Sequence, residues 1–305
     1  MIGLTLKHLR YFEAVARMQH FGRAADACGV SQPALSMQIK ELEAMFGAAL
    51  FERAARRVRL TATGQDLLDR AQPILRSVDD LESLVRAAQG PLAGKLRLGV
   101  IPTVAPYLLP QIIKALSARY PDLDIRPREA MTQTLIEDLL DSRLDLAVVA
   151  LPISETALSE FELFEEEFLL VRPAGDASEP IPSAERLPAM RLLLLEEGHC
   201  FRDQALSFCD MAGAQPRNLM EGSSLSTLVQ MVGAGVGVTL IPEMAAPIET
   251  RSADVCVARF PKPRPKRGIG IVWRKTSPLA DDFKQIGAVV RDLARRGPAA
   301  RGKGA

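Results

Sequence analysis

The chain has 305 residues, and its 38 Lys and Arg nearly balance its 37 Asp and Glu, which leaves a formal net charge of +1 at pH 7. This length exceeds what one hydrophobic core usually supports, so we expect two or more domains. The near-zero charge argues against indiscriminate binding to polyanions. No apolar run approaches the ~18 residues that span a bilayer, and the first residues do not resemble a secretion signal, so we expect a cytoplasmic protein without membrane contact.

The charge is unevenly distributed along the chain. Residues 1–60 carry nine Lys and Arg against five Asp and Glu, and four of the arginines fall within residues 53–59. The remainder of the chain is slightly acidic. A basic end on a neutral body is typical of a nucleic-acid-binding module joined to another domain.

The basic segment is predicted to contain helices around a glycine turn. Apolar residues at helical spacing predict one helix over residues 6–16 and another over residues 22–28. Gly29 can supply the positive φ that a turn between two helices needs. Ser31 is a good N-cap for a further helix, which carries Pro33 in its first turn and runs to about residue 45.

The helix that follows the turn is predicted to expose short polar side chains, which suit base edges in a major groove. A short hairpin is predicted over residues 50–61, with basic residues at a tip that would lie against phosphates. We therefore predict base-edge contacts for Gln32, Pro33 and Ser36, and phosphate contacts for Lys40, Arg53 and Arg56. Arg57 and Arg59 could equally face solvent.

An apolar stripe from Leu67 to Val85 predicts a long amphipathic helix from residue 63 to about residue 88. The stripe could pack within its own chain, but its length and its position between two domains favour a dimer interface. Strands and helices alternate after a hinge at residues 89–94, which predicts a parallel sheet with helices on both faces and ligands at the carboxyl ends of its strands. Two such sets predict two α/β lobes with a cleft between them.

Two cysteines lie nine residues apart on one short segment, Cys200 and Cys209, with His199 and Arg202 beside the first. A reactive thiolate is expected where cationic side chains flank a thiol. If the segment is helical, the two thiols lie on roughly opposite faces and about 13 Å apart along the axis. A disulfide needs Cα atoms within about 7 Å, so bonding would require the helix to break and oxidation could act as a conformational switch.

The other two cysteines, Cys28 and Cys256, have apolar neighbours in the sequence and are expected to be buried and inert. Four cysteines in a chain of this length make a poor disulfide framework. A metal site at Cys200, His199 and Cys209 would lack a fourth nearby ligand, because the remaining histidines fall in the basic segment. We therefore expect no metal and no cofactor.

The basic segment matches a known family in an ordered and dense set of motifs. They are Leu9-Arg10-Tyr11-Phe12, Phe21-Gly22-Arg23-Ala24-Ala25, Val30-Ser31-Gln32-Pro33-Ala34-Leu35-Ser36, Ile39-Lys40-Glu41-Leu42-Glu43, Leu50-Phe51-Glu52-Arg53 and Leu60-Thr61-Ala62-Thr63-Gly64. These residues resemble LysR-type transcriptional regulators, and the resemblance covers the whole chain.

The resemblance implies an α/β multidomain protein with a two-lobed, Rossmann-like effector domain of the periplasmic-binding-protein type. A winged helix-turn-helix would occupy residues 1–62, and a dimerising linker helix would occupy residues 63–91. Lobe I would comprise residues 92–168 and 266–296, and lobe II, with the redox cysteines, residues 169–265. Residues 297–305 would form a disordered tail.

Within that family, residues 198–209 and 101–110 resemble the hydrogen peroxide-sensing OxyR subfamily. The resemblance implies that peroxide oxidises Cys200 to a sulfenic acid, which then forms a disulfide with Cys209. It further implies that the peroxide pocket is lined by Thr103, Thr132, His199, Arg202 and Asp203. Thr134 lies two residues beyond Thr132 and could substitute for it.

The function implied by this resemblance is a peroxide-sensing transcriptional activator of antioxidant genes rather than an enzyme. Expected partners are double-stranded promoter DNA, hydrogen peroxide, RNA polymerase, a thiol reductant such as glutaredoxin or thioredoxin, and three further copies of the chain in a homotetramer. One alternative is a LysR-type regulator that binds a small organic effector in the inter-lobe cleft. Another is a thiol peroxidase, which would leave the N-terminal helices without a use.

Overall fold

The computed structural model describes residues 3–54, 57–88, 92–183, 186–187, 190–210 and 219–295. The chain divides into two compact units, residues 1–83 and 84–305. The tail predicted at residues 297–305 lies outside the described residues. None of the helices in the described ranges is long and apolar enough to cross a membrane.

The first unit consists of helices and one small hairpin. Its elements are α1 (Leu6–Met18), α2 (Phe21–Ala27), α3 (Gln32–Phe46), β1 (Phe51–Ala54), β2 (Arg57–Leu60) and the long helix α4 (Ala62–Ala88), which continues past the unit boundary. Phe12, Leu35, Ile39 and Leu42 are fully buried in its core. The predicted order of helix, glycine turn, helix and hairpin is confirmed.

Local side chains determine where these helices begin. The Ser31 hydroxyl accepts a hydrogen bond from the backbone N–H of Ala34 at 3.4 Å, and this confirms Ser31 as the N-cap of α3. Gly29, in the preceding turn, has a φ of +65°, a conformation that glycine adopts without steric cost. His20 caps α2, because its Nδ1 accepts from the backbone N–H groups of Gly22 and Arg23.

The second unit alternates strands and helices over most of its length. Its strands are β3 (Gly94–Val100), β4 (Leu123–Glu129), β5 (Leu146–Leu151), β6 (Leu158–Pro173), β7 (Leu192–Leu195), β8 (Leu219–Gly222), β9 (Val238–Pro242), β10 (Val255–Arg259) and β11 (Lys266–Arg274). Its helices are α5 (Ala105–Arg119), α6 (Thr132–Leu140), α7 (Cys200–Asp210), α8 (Leu225–Gly233), α9 (Ala246–Glu249) and α10 (Ala280–Arg295).

The described strands of this unit form one mixed sheet in the order β4-β3-β5-β11-β6-β9-β7-β8, with β10 also paired to β6. Pairing is parallel around β3 and around β7, as predicted, but β11 is antiparallel to both β5 and β6. The chain leaves the β3 side along the 16-residue strand β6 and returns beside it along β11, so these two strands must run in opposite directions.

Two hydrophobic cores lie along this sheet. The first core includes Val100, Ile112, Leu135, Val148 and Phe283, from β3, α5, α6, β5 and α10. The second core is built on β7, β9, α7 and α8, and its buried side chains include Leu194, Leu240, Phe201 and Val229. The unit therefore buries apolar surface in two separate places.

A hydrogen-bonded group connects α5 to the second core. Tyr107 lies on α5 but packs in the second core, where its hydroxyl donates to Glu249 Oε1 at 2.6 Å. The other oxygen of Glu249 accepts from the Ser226 hydroxyl at 2.5 Å. Burial, together with the bond to Glu249, raises the pKa of Tyr107 above its ordinary range, so the phenol stays protonated as the donor.

We expect Tyr107→Phe to destabilise the full-length protein by about 2 kcal/mol, because the buried Glu249 carboxylate loses one of its donors. The measurement is the denaturant midpoint of unfolding. Tyr120→Phe is the matched control, since the Tyr120 hydroxyl accepts an exposed bond from Arg119 and its loss should cost within about 0.5 kcal/mol. Equal effects of the two substitutions would contradict the assignment.

Candidate functional site

Cys200 is the first residue of α7, and its thiol is free and half-buried. Gly198, two residues earlier, has a φ of +94°, which a residue with a side chain rarely adopts. Cys200 packs against the first core, whereas the next residue, Phe201, is buried in the second core. The thiol is therefore placed at the junction of the two cores, at the N-terminus of a helix.

A buried charged group surrounds Thr103, one of the predicted pocket residues. The Thr103 hydroxyl accepts from Arg267 Nη1 at 2.8 Å, and its carbonyl accepts from Nη2 at 3.1 Å. Glu166 Oε1 accepts from Arg267 Nε at 2.8 Å, and its other oxygen accepts from the backbone N–H of Met244. A hydroxyl that accepts a hydrogen bond in this way can still donate its own proton.

Sequence reasoning missed Arg267 and Glu166. The Arg267 side chain is fully buried, and its guanidinium lies 5.3 Å from the ring centre of Phe201 in α7. Arg267 is the second residue of β11, which begins at Lys266 and carries it into the interior. The sequence signal that could have identified Arg267 was a basic residue at the start of a strand made mostly of apolar residues.

Thr132 lies at the start of α6, close to the Cys200 segment. Its Oγ1 is buried and makes no hydrogen bond within the described residues. A Cβ placed on Gly198 would lie 4.0 Å from Cγ of Met131, the residue before Thr132, so the loop before α7 adjoins the start of α6. Thr134, the alternative, is half-buried on the same helix.

The remaining predicted pocket residues take different positions. His199 is buried, and that burial lowers the pKa of its imidazole, which is therefore neutral at pH 7. Arg202 is also buried, but its Nη1 donates to the Leu195 carbonyl at 3.1 Å and to Glu221. Asp203 is exposed in the first turn of α7.

The two cations expected beside the thiol do not supply an unpaired charge there. His199 was expected to be cationic and is neutral, because burial disfavours its charged form. The charge of Arg202 is paired with Glu221. The buried guanidinium that bonds to Thr103 belongs to Arg267.

The helix through Cys200 and Cys209, on which the sequence argument depended, is confirmed. A single helix, α7, runs from Cys200 to Asp210 and includes the backbone of Cys209, whose side chain is outside the described residues. Phe201 packs edge-on against Phe168 with ring centres 4.8 Å apart, and Phe208 packs against Phe260 at 5.2 Å. These contacts hold both ends of the helix on the second core.

Cys28 and Cys256 are half-buried rather than fully buried, so this part of the sequence prediction is wrong. Burial raises the pKa of the Cys28 thiol, with a further increase from Glu13. The Cys256 Sγ donates to the Pro173 carbonyl at 3.4 Å. No group of metal-ligating residues occurs within the described part of the chain.

The helix after the glycine turn presents a polar surface. Gln32, Pro33 and Lys40 are exposed and Ser36 is half-buried, while Leu35 and Ile39 face the core as predicted. Arg53 lies on β1 opposite Val58 of β2. The side chains of residues 53–57, including those of Arg53 and Arg56, are outside the described residues, so their phosphate contacts stay predictions.

The apolar stripe of α4 divides into two parts. Ala71 and Leu75 are buried against Leu9 of the same unit. Ile74 and Leu81 are instead 47% and 61% exposed. Intramolecular packing thus explains only part of the stripe.

Family models match nearly the whole chain. Residues 6–65 match the bacterial regulatory helix-turn-helix protein of the lysR family, and residues 89–295 match the LysR substrate binding domain. A probable hydrogen peroxide-inducible genes activator of Streptomyces viridosporus is 43% identical over 296 residues, which cover 95% of each chain. The DNA-binding transcriptional dual regulator OxyR of Escherichia coli K12 is 41% identical over 292 residues, with 94% of this chain and 95% of that protein covered.

Similar solved structures indicate the same family as these relatives. A full-length OxyR variant from Pseudomonas aeruginosa is 35% identical, with a TM-score of 0.73 and coverage of 94% of this chain and 95% of that one. A hydrogen peroxide-bound variant of Corynebacterium glutamicum OxyR is 34% identical, with a TM-score of 0.66 and coverage of 96% and 93%. The chain therefore belongs to the LysR family of DNA-binding transcriptional regulators, in its OxyR subfamily, and not to a family of enzymes.

Proposed function

We propose that this regulator senses hydrogen peroxide through Cys200 and converts its oxidation into a disulfide with Cys209. The observation that carries the proposal is that a free thiol at the N-terminus of α7 shares that helix with its partner cysteine. Nine helical residues separate the two Cα atoms by about 13 Å, and a disulfide needs them within about 7 Å. The disulfide thus requires a different conformation of the segment.

The first step is attack of the Cys200 thiolate on one oxygen of hydrogen peroxide. An S–O bond forms, the O–O bond breaks, and hydroxide leaves and takes up a proton to become water, which leaves a sulfenic acid on Cys200. The Thr103 hydroxyl, oriented by Arg267, and the buried Thr132 hydroxyl are the proposed hydrogen-bonding partners of the peroxide. A buried hydroxyl without a protein partner supports a polar ligand beside it.

His199, Arg202 and Asp203 complete the proposed pocket in different ways. Neutral His199, directly before Cys200, can donate or accept one hydrogen bond. Arg202 and Asp203 lie in the first turn of α7. The helix dipole favours the negative charge of the Asp203 carboxylate at that position. Arg267 joins this set as the residue that orients Thr103.

The second step is condensation of the Cys200 sulfenic acid with the Cys209 thiol, which forms the disulfide and releases water. Breaking α7 removes Phe201 and its neighbours from the second core and costs several kcal/mol of apolar burial. A disulfide offsets a few kcal/mol of that cost. The two conformations can therefore be close in free energy, as a two-state switch needs.

We further propose that this refolding changes a homotetramer and its promoter contacts, and so its engagement of RNA polymerase at antioxidant genes. The exposed apolar side chains Ile74 and Leu81 on α4 support pairing of that helix with a second copy. A thiol reductant such as glutaredoxin or thioredoxin would reset the disulfide by thiol exchange. The proposed compartment is the cytoplasm, where thiols are kept reduced between exposures to peroxide.

We expect Cys200→Ser to abolish the response to peroxide while DNA binding survives, because the nucleophile is lost and the helices of the first unit are untouched. The measurements are a promoter reporter and the length of the DNA footprint before and after peroxide. Cys256→Ser is the matched control and should respond as the wild type does. A response that persists in Cys200→Ser would contradict the sensor and favour an organic effector.

After a brief peroxide pulse, mass spectrometry of the alkylated protein should show Cys200 linked to Cys209. Cys28 and Cys256 should stay free, because neither lies on α7. A disulfide that involves Cys28 or Cys256 instead would refute the proposed pair.

Arg53→Ala should weaken binding to all DNA sequences alike and reduce the slope of log affinity against log salt by about one, since a phosphate contact carries no base information. Titrations at several salt concentrations with specific and scrambled duplexes measure both quantities. A loss confined to the specific duplex would instead assign Arg53 to base recognition.

A further inference from the structure

Arg202 connects the first turn of α7 to two strands of the sheet by hydrogen bonds. Its guanidinium Nη1 donates to the carbonyl of Leu195, the last residue of β7, at 3.1 Å, and to Glu221 on β8. Leu195 and Glu221 lie on parallel neighbours, since Leu194 pairs with Glu221 and Leu195 with Gly222. One side chain thus fixes the start of α7 to the carboxyl ends of both strands.

The two partners differ in burial. Only 11% of the Arg202 side chain is exposed, whereas 44% of the Glu221 side chain is exposed. An ion pair between two exposed groups contributes little, but a buried guanidinium that loses its carboxylate partner is left uncompensated. Glu221 is therefore the group that makes burial of Arg202 favourable.

We propose that Glu221 is a positioning residue that holds Arg202, and through it the first turn of α7, in the dithiol conformation and so sets the reduction potential of the Cys200–Cys209 couple. This inference rests on the proposed function, because it needs that couple to exist. Arg202 lies two residues after Cys200 on α7. When the helix breaks to bring the cysteines together, Arg202 leaves its helical position and the contact with Glu221 is lost.

Thermodynamic linkage then fixes the sign of the effect. An interaction present in the dithiol form and absent from the disulfide form favours the dithiol, so its removal favours the disulfide. Glu221→Gln should therefore shift the equilibrium toward the disulfide and make the reduction potential more negative. We expect a shift of about fivefold, which corresponds to ~20 mV for a two-electron couple.

The test equilibrates the full-length protein with mixtures of glutathione and glutathione disulfide, followed by alkylation of free thiols and mass spectrometry. In this exchange two protein thiols are oxidised to one disulfide, while one glutathione disulfide is reduced to two glutathione thiols. The matched control is Asp124→Asn, because Asp124 is 45% exposed, pairs with Arg126 at 2.9 Å and lies on β4, at the opposite edge of the sheet from β8. That control should leave the midpoint unchanged.

A second variant separates the pair from general destabilisation. In an Arg202→Met background, Glu221→Gln should no longer move the midpoint, since the partner is already gone. A shift that persists in that background, or an unshifted midpoint in Glu221→Gln alone, would overturn the inference. Equal loss of unfolding stability in the reduced and oxidised forms, with no change in midpoint, would also overturn it.

The same experiment tests the role of Glu221 and the formation of the disulfide separately. A wild-type protein that forms the Cys200–Cys209 disulfide, with a midpoint that Glu221→Gln does not change, refutes only the role of Glu221. A wild-type protein that never forms the disulfide refutes the proposed function, and the role of Glu221 with it.

Discussion

A helix cannot contain a disulfide between residues nine positions apart, and the switch proposed for the second unit depends on this constraint. The structure has Cys200 and Cys209 on the single helix α7, so the proposed disulfide and the helix are mutually exclusive. The local cost is limited to one helix, whose aromatic side chains pack on Phe168 and Phe260 of the second core. In the proposed switch, oxidation of the two thiols would select between two conformations of this one segment.

Cys200 lies where the two cores of the second unit meet. The Thr103 side of the site comes from the start of α5, and Arg267 reaches it from β11, the strand by which the chain returns to the first core. Glu166 on the neighbouring strand β6 compensates the buried charge of Arg267. Burial of a complete ion pair keeps the guanidinium rigid without leaving a charge uncompensated. Two neighbouring strands of the sheet thus position the buried ion pair that bonds to Thr103.

The first unit, residues 1–83, is organised mainly by interactions between residues close in the chain. Caps at Ser31 and His20 determine where its helices begin, and a left-handed glycine joins them. The regular geometry of α3 alone orients its exposed side chains, so no other part of the protein has to hold them in place. The family match over residues 6–65 agrees with this local organisation. On α4 the apolar side chains of Ile74 and Leu81 are not covered by the described part of this chain.

The sequence by itself determined the helices of the first unit, the α/β alternation, the family and the helix that carries Cys200 and Cys209. These features depend on periodicity, caps and dense local motifs, which act between residues close in the chain. Only the tertiary structure decided that β11 is antiparallel, that Arg202 is paired with Glu221, that His199 is neutral and that Arg267 bonds to Thr103. Thr103 and Arg267 are 164 residues apart in sequence, and Arg202 and Glu221 are 19 apart. Burial and charge pairing depend on what the fold brings together, and no local pattern in the chain encodes them.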